Sequence, residues 1–549
     1  MENFKKSCVY QIYPKSFKDT SGNGQGDLKG ITKKLDYLKK LGVDYVWLTP
    51  IYISPQHDNG YDVADYYNIN PDFGTMEDFE ELVEEAGKRG IKIMLDMVFN
   101  HTSTEHEWFK KAMAGVKKYM DYYILKDPVD GREPTNWESK FGGNAWEYVP
   151  HLNKYYLHLF DKTQADLDWE NEELREEIYR IVNFWLEKGV KGFRLDVINL
   201  ISKPEIFEND YVGDGRRFYT DGPKIHEYLK ELNRRTFGKY NDVVTVGEMS
   251  STTIENCIRY SNPQEKELSM VFNFHHLKID YKNGNKWSDV EFDFAMLKDL
   301  FDNWQTKMDK GSGWNALFWC NHDQPRVVSR YGDDKSYYKE SAKMLATTIH
   351  MMKGTPYIYQ GEEIGMTNAY FDSISQYRDV ESINYYEILK KDGVSEDEIL
   401  RILQKKSRDN SRTPMQWDNS SNAGFTSGEP WIGVISNYRE INAKKSLEDK
   451  ESVFYHYKEL IDIRKKYDVT VFGNYAIIEK DHDKVYAYKR KYKDEEMLVV
   501  CNFYGEETEF LLEGIESYSV LNSNYKESMV EDGKVHFRPY EAVIFYKKV

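Results

Sequence analysis

The chain has 549 residues, 40 % of them apolar and 15 % aromatic, which allows a large core and roughly two to four domains. A formal net charge of −17 argues against a nucleic-acid binder and means that an anionic ligand would need a local basic patch. The four cysteines (Cys8, Cys257, Cys320, Cys501) lack metal-ligand spacing, the N-terminus lacks the apolar core of a signal peptide, and no run approaches the roughly 20 apolar residues of a membrane span. The expected setting is therefore cytoplasmic, with no membrane partner.

In chain order, strand-like and helix-like segments alternate. Residues 9–13 read as a strand. Residues 27–41 then place Leu28, Ile31, Leu35, Leu38 and Leu41 at helical spacing, and Gly42 stops them. Residues 43–48 read as the second strand, 76–88 as a helix capped by Thr75, and 91–98 as the third strand. Further strands are predicted at 192–198, 243–249, 270–274, 316–320 and 356–360. The helical patterns between them include 173–186, 224–232, 294–304 and 341–352. Eight strand–helix units predict an α/β fold, a (β/α)8 barrel, with a doubly wound open sheet as the alternative. The barrel is favoured because polar residues gather at the C-terminal strand ends: Asp96, Asn100, His101, Asp196, Glu248, His322, Asp323, Gln360 and Glu362.

The interval after the third strand is too long for a plain connection and predicts an inserted subdomain. After residue 466, alternating segments at 484–489, 497–502 and 542–547 predict an antiparallel β domain. The expected division is a barrel over 1–98 and 169–466, an inserted subdomain over 99–168 and a C-terminal β-sandwich over 467–549.

Residues 192–198 carry the sharpest chemical signal. An apolar strand here contains Arg194 and Asp196, which strand periodicity puts on one face. A buried charge pair is costly, so the choice lies between a structural ion pair and a carboxylate nucleophile kept ionised by an arginine. Glu248 and Asp323 stand at other strand ends. Two carboxyl groups flanking a bond are what glycoside hydrolysis requires, and a carboxyl beside an ionised neighbour keeps its proton. The 43 tyrosines and 12 tryptophans suit a sugar ligand as well as an ordinary aromatic core.

The segments 96–101, 192–198, 246–249 and 318–323 together resemble the hallmark segments of the α-amylase family of glycoside hydrolases. The resemblance implies a retaining mechanism with Asp196 as nucleophile, Glu248 as acid/base and Asp323 as transition-state stabiliser. It also implies that His101, Arg194 and His322 hold the reacting sugar, with Phe141, Phe160 and Gln164 lining its pocket. Asp58 and Tyr61 would grip the terminal glucose, and Arg408 or Arg412 would pair with Asp58 and close the pocket. Residues 164–171, and Val197 after the nucleophile, resemble the oligo-1,6-glucosidase subgroup.

Residues 190–203, 214–226, 249–260 and 272–282 resemble a branch of that subgroup whose substrate is a sugar phosphate, α,α-trehalose 6-phosphate. His275 and Lys278 stand where relatives with neutral substrates tend to be acidic. Arg216 and Arg217 are further phosphate candidates, with solvated surface charge as the alternative reading. Hydrolysis of neutral isomaltose-type oligosaccharides is the competing activity. A non-catalytic partner of a membrane transporter is disfavoured by the intact acid set. No cofactor is expected for catalysis. The loop of Asp19, Ser21, Asn23, Gln25 and Asp27 resembles a site for structural calcium or magnesium, although Ser21 and Asn23 depart from the usual Asn and Asp. The expected assembly is a monomer.

Overall fold

The β-branched and aromatic runs predicted as strands pair side by side in a computed structural model that describes residues 3–512, 514–526, 529–531 and 534–549. They are β1 (Val9–Ile12), β2 (Tyr45–Leu48), β3 (Lys92–Val98), β4 (Gly192–Asp196), β5 (Val244–Glu248), β6 (Met270–Phe272), β7 (Ala316–Leu317) and β8 (Thr355–Tyr359). They form one parallel sheet in the order β6-β5-β4-β3-β2-β1-β8-β7, and a parallel bridge between Val271 and Asn315 brings β6 round to the start of β7. The sheet is thus a barrel rather than the open doubly wound alternative. Every residue of β1, β2, β4, β5 and β8 is buried, as expected for strands covered on one face by helices and on the other by the barrel interior.

The fourth and sixth strands end at Asp196 and Phe272, two residues short of their expected bounds, and two further expectations change in detail. The helix expected over 27–41 is divided into Leu28–Lys33 and Leu35–Leu41. At Lys34 the backbone N–H is shared between the carbonyls of Ile31 and Thr32, which tightens one turn. The seventh strand stops at Leu317 rather than 320. Just beyond it, the Asn321 side chain accepts the Asp323 N–H at 2.8 Å, and this local turn replaces the ladder. Two terminators act as predicted. Gly42 ends its helix in the left-handed region at φ 101°, and Thr75 caps the helix Met76–Lys88 in a reciprocal capping box with Asp78.

Between β3 and the helix Glu172–Glu187 the chain builds a small antiparallel sheet from Leu125–Lys126, Lys154–Leu157 and Trp146–Val149. Its core of Ile124, Trp137, Ala145, Trp146, Leu157 and Leu159 includes Val197, Leu200 and Tyr219 from the chain after β4. The insertion is therefore packed onto the end of the strand that carries Arg194 and Asp196.

The C-terminal segment forms a five-stranded antiparallel sheet from Asn474–Ile478, Val485–Tyr492, Glu495–Asn502, Ala542–Lys548 and Ser519–Ser523, with a three-stranded sheet beside it. Strand alternation explains its seat. Val485, Ala487, Leu498, Val500, Val543 and Phe545 fill the core between the two sheets, whereas Tyr486, Tyr488, Met497, Val499, Cys501 and Ile544 join the main core of the barrel. Among the described residues, no helix is long and apolar enough to cross a membrane.

Replacing Thr75 by Ala removes one half of the capping box. The expected loss is about 1 kcal/mol, read as a lower urea midpoint with unchanged activity.

Candidate active site

The site is built on the register of β3, β4 and β5. Arg194 lies opposite Asp96 across the β4–β3 pair, and Leu195 lies opposite Gly247 across the β4–β5 pair. One residue further along, Asp196 and Glu248 come together at the strand ends. The Arg194 guanidinium is 1 % exposed and touches three carboxylates. Its Nη1 donates to Asp96 Oδ1 at 2.8 Å and Asp196 Oδ1 at 2.5 Å, and its Nη2 donates to Glu248 Oε2 at 2.5 Å. Asp196 and Glu248 are close enough for each to act on the other's protonation. Asp96 is held in turn by the Tyr61 hydroxyl at 2.8 Å and the Trp47 indole N–H at 3.2 Å.

After Asp196 the backbone turns sharply. Val197 adopts φ 35°, ψ 39°, a left-handed conformation that is costly for a β-branched side chain. Its N–H donates to Glu248 Oε2 at 3.1 Å, and its side chain is held in the core of the insertion. The strained turn thereby ties the two carboxyl groups together.

The opposite wall comes from the loop after β7 and from residues 408–412. His322 stacks on Tyr61 with ring centres 5.1 Å apart. Its Nδ1 accepts from Gln11 at 2.7 Å, which leaves Nε2 3.1 Å from Asp323 Oδ2. Asp323 Oδ1 receives Arg408 Nη1 at 3.1 Å and Arg412 Nη2 at 2.9 Å. Arg408 also reaches Asp58 at 3.3 Å, so both expected arginines are present and Arg408 is the one that pairs with Asp58. Gln164 donates to Asp58 Oδ2 at 3.1 Å, and His101 Nε2 lies 3.0 Å from the Tyr61 carbonyl oxygen. Phe160 packs on His101, and Phe141 lies between Phe160 and the Arg408 guanidinium. The expected catalytic and sugar-holding residues thus surround one recess.

Charge states differ sharply within it. Burial pushes Glu248 up to about 8, with Asp196 and Asp323 adding to the rise and Arg194 opposing it. Burial also raises Asp196, to about 6, where Arg194 pulls it down and Asp96 pushes it up. Asp323 goes the other way. Burial is outweighed by His322, Arg408 and Arg412, and the carboxylate stays ionised. His322 and His101 are driven down by burial, to about 3 and about 4, and are neutral near pH 7. One ionised acid, one protonated acid and one fixed anion around a recess suit two-step displacement at an acetal carbon.

The basic candidates separate. Arg216 and Lys278 are close enough for each charge to act on the same neighbour, Lys140, whose ammonium donates to Ser250 Oγ at 3.1 Å, two residues past Glu248. Arg217 instead pairs with Asp210 at 3.1 Å and lies over Phe218. His275 packs on Trp304, and burial lowers it to about 4, so it brings no charge at neutral pH. Two of the polar strand-end residues also point elsewhere. Gln360 accepts the Tyr13 N–H, and Glu362 accepts the Tyr457 hydroxyl, each at 2.8 Å.

In the 19–27 loop the carboxylates are already engaged. Asp19 accepts the N–H groups of Ser21, Gly22 and Gly24 and the Thr426 hydroxyl, while Asp27 accepts from Thr20 and Gly30. Among the described residues no group of three or more His, Cys, Asp or Glu is placed to hold a metal ion.

The comparisons with known proteins agree with this geometry. The family model described as alpha amylase, catalytic domain, matches residues 11–473, and an α-amylase C-terminal domain model matches 485–544. The chain belongs to the α-amylase family. It is 59 % identical to trehalose-6-phosphate hydrolase of Bacillus subtilis, over 99 % of this chain and 98 % of that protein. It is 49 % identical to oligo-1,6-glucosidase of Bacillus cereus, over 99 % of both. The crystal structure of a Bacillus licheniformis trehalose-6-phosphate hydrolase variant superposes with a TM-score of 0.97 at 60 % identity, covering 99 % of each chain.

Within this α-amylase-family site, two residues escaped the sequence reading. Asp379, fully buried, takes Arg408 Nη2 at 2.5 Å and lies 3.4 Å from Arg412 Nη1, so it supplies the counter-charge for both arginines. Lys140 sits in Ser139-Lys140-Phe141, with no motif around it. Isolated charged residues of this kind carry no periodic signal.

The separated acid values generate a pH prediction. With Asp196 in the expected role of nucleophile and Glu248 in that of acid, protonation of Asp196 below about 6 and ionisation of Glu248 above about 8 would each stop the reaction. The free-enzyme kcat/KM is therefore expected to be bell-shaped, falling on both sides of that interval. In Glu248→Gln, the residual activity on an aryl glucoside is expected to lose the alkaline limb.

Proposed function

We propose that this chain hydrolyses α,α-trehalose 6-phosphate to D-glucose and D-glucose 6-phosphate, with retention of the α configuration. Asp196 attacks the anomeric carbon of the unphosphorylated glucose, and Glu248 protonates the bridging oxygen as glucose 6-phosphate leaves. Glu248, now a carboxylate, takes a proton from water. That water attacks the same carbon and releases Asp196. Two inversions return the original configuration. Asp323, His322, Arg194 and His101 hold the ring, and Asp58 with Arg408 closes the pocket behind it, which favours action on chain ends.

What supports the substrate is the positive charge of Arg216 and Lys278 around Lys140, whose ammonium bonds Ser250, two residues past Glu248. Burial and Arg216 both depress the ammonium pKa of Lys278, and among the described residues it has no carboxylate at ion-pairing distance. In a chain of net charge −17 an uncompensated, half-buried cation needs a reason. A phosphate of charge about −1.5 to −2 supplies one. The 59 % identical relative named trehalose-6-phosphate hydrolase supports the same substrate. The left-over alternative is an oligo-1,6-glucosidase, favoured by Val197 and by the 49 % identical relative of that name. A cytoplasmic setting completes the proposal, since a phosphorylated sugar does not cross membranes unaided and all four cysteines are free thiols.

Two measurements test this reading. The order of kcat/KM is expected to be trehalose 6-phosphate, then trehalose, then isomaltose; a preference for isomaltose would overturn it. Asp196→Asn is expected to retain the fold by circular dichroism while losing essentially all turnover on every glucoside.

A further inference from the structure

We propose that Lys140, carried by the insertion rather than the barrel, is a specificity residue that receives the substrate phosphate together with Arg216 and Lys278. The inference rests on the phosphorylated-disaccharide reading above and adds a residue that neither motif nor subgroup resemblance points to.

Lys140 is placed by its neighbours. Its N–H donates to the Leu159 carbonyl at 2.9 Å, and the Ser139 hydroxyl donates to the Phe160 carbonyl at 2.6 Å while accepting the Phe141 N–H at 3.1 Å. Residues 139–141 are therefore pinned to the strand end that supplies Phe160. Phe141 then faces Arg408 on the glucose side, whereas Lys140 reaches Ser250 on the Glu248 side. Consecutive residues thus address the two halves of a disaccharide.

Arg216 is brought to Lys140 by a separate set of contacts. The Asn136 N–H donates to Asn209 Oδ1, the Trp137 indole donates to the Glu208 carbonyl at 3.0 Å, and the Glu138 N–H donates to the Asp214 carbonyl at 3.1 Å. These bonds stitch residues 136–138 to the loop after β4. Gly215 closes the joint. It has φ +92°, and a Cβ there would lie 2.4 Å from the Trp137 ring, so only glycine allows the loop to press this close.

The charge count points to the ligand. Lys140, Arg216 and Lys278 bring three cations; Asp214 is taken by Arg216 at 2.8 Å, while Glu138 also acts on Arg216 and Glu248 on Lys140. Burial, Arg216 and Lys278 push the Lys140 ammonium down to about 8, while Asp214 and Glu248 act the other way. Its hydrogen bond is to a neutral hydroxyl, that of Ser250. Lys140 and Lys278, neither of them in an ion pair with a carboxylate among the described residues, leave positive charge that suits a phosphate monoester. Neutral disaccharides offer no such compensation, so the cluster selects by charge.

The test compares kcat/KM for trehalose 6-phosphate and for trehalose in the full-length enzyme and in Lys140→Met, Lys140→Gln and Lys140→Arg. The preference for the phosphorylated sugar is expected to fall roughly ten- to hundred-fold in Lys140→Met and Lys140→Gln and to be largely restored in Lys140→Arg. Inhibition by glucose 6-phosphate is expected to weaken in step. An unchanged preference ratio, or an equal loss on both sugars, would overturn the role of Lys140 and leave the substrate assignment standing. If the unaltered enzyme itself shows no preference for the phosphorylated sugar, the substrate assignment falls and the role of Lys140 with it.

Discussion

The chemistry depends on one buried guanidinium. Arg194 is surrounded by Asp96, Asp196 and Glu248, and moving any of these ions from water into the barrel costs several kcal/mol. The cost is offset only because one planar fork reaches all three carboxyls at 2.5–2.8 Å. Three anions around one cation would leave two negative charges in excess. A proton remains in the group, and it settles on Glu248, which carries the highest of the three carboxyl values. The same contact thus sets the separation of the two reacting carboxyls and their protonation states.

The second half of the site repeats this logic with opposite sign. Arg408 and Arg412 each pair with both Asp379 and Asp323. Asp323 is ionised because His322, Arg408 and Arg412 outweigh its burial, whereas Glu248 is protonated because burial, with Asp196 and Asp323 beside it, outweighs Arg194. His322, neutral and stacked on Tyr61, separates the two charge groups. The recess therefore offers a proton donor on one side and a fixed negative charge on the other, the polarity required by an oxocarbenium-like transition state.

The insertion does more than wall the recess. Its core takes in Val197, the strained residue after Asp196, and residues 136–138 are bonded to the loop that carries Asp214 and Arg216. The insertion is thus coupled to both the reacting carboxyls and the basic cluster. Phe141 and Lys140 extend from it toward the two sides of the site.

Much of this was legible in the chain of residues. The eight barrel strands, the Thr75 cap, the Gly42 stop and the C-terminal β segment follow from local patterns of apolar residues and turn formers. The clustering of the candidate acids was legible too, because Arg194 and Asp196 interrupt an apolar strand where no charge is otherwise tolerated. The seventh strand was read too long, since an Asx turn at Asn321 competes with the ladder and apolar composition does not register it. Asp379, Lys140 and the different orientations of Arg216, Arg217, His275 and Lys278 were decided by the tertiary structure alone. Such residues act through charge, which depends on distance in space, and segments far apart in sequence supply every partner. Periodicity reports which face of an element is buried; only the folded chain determines which charges share that burial.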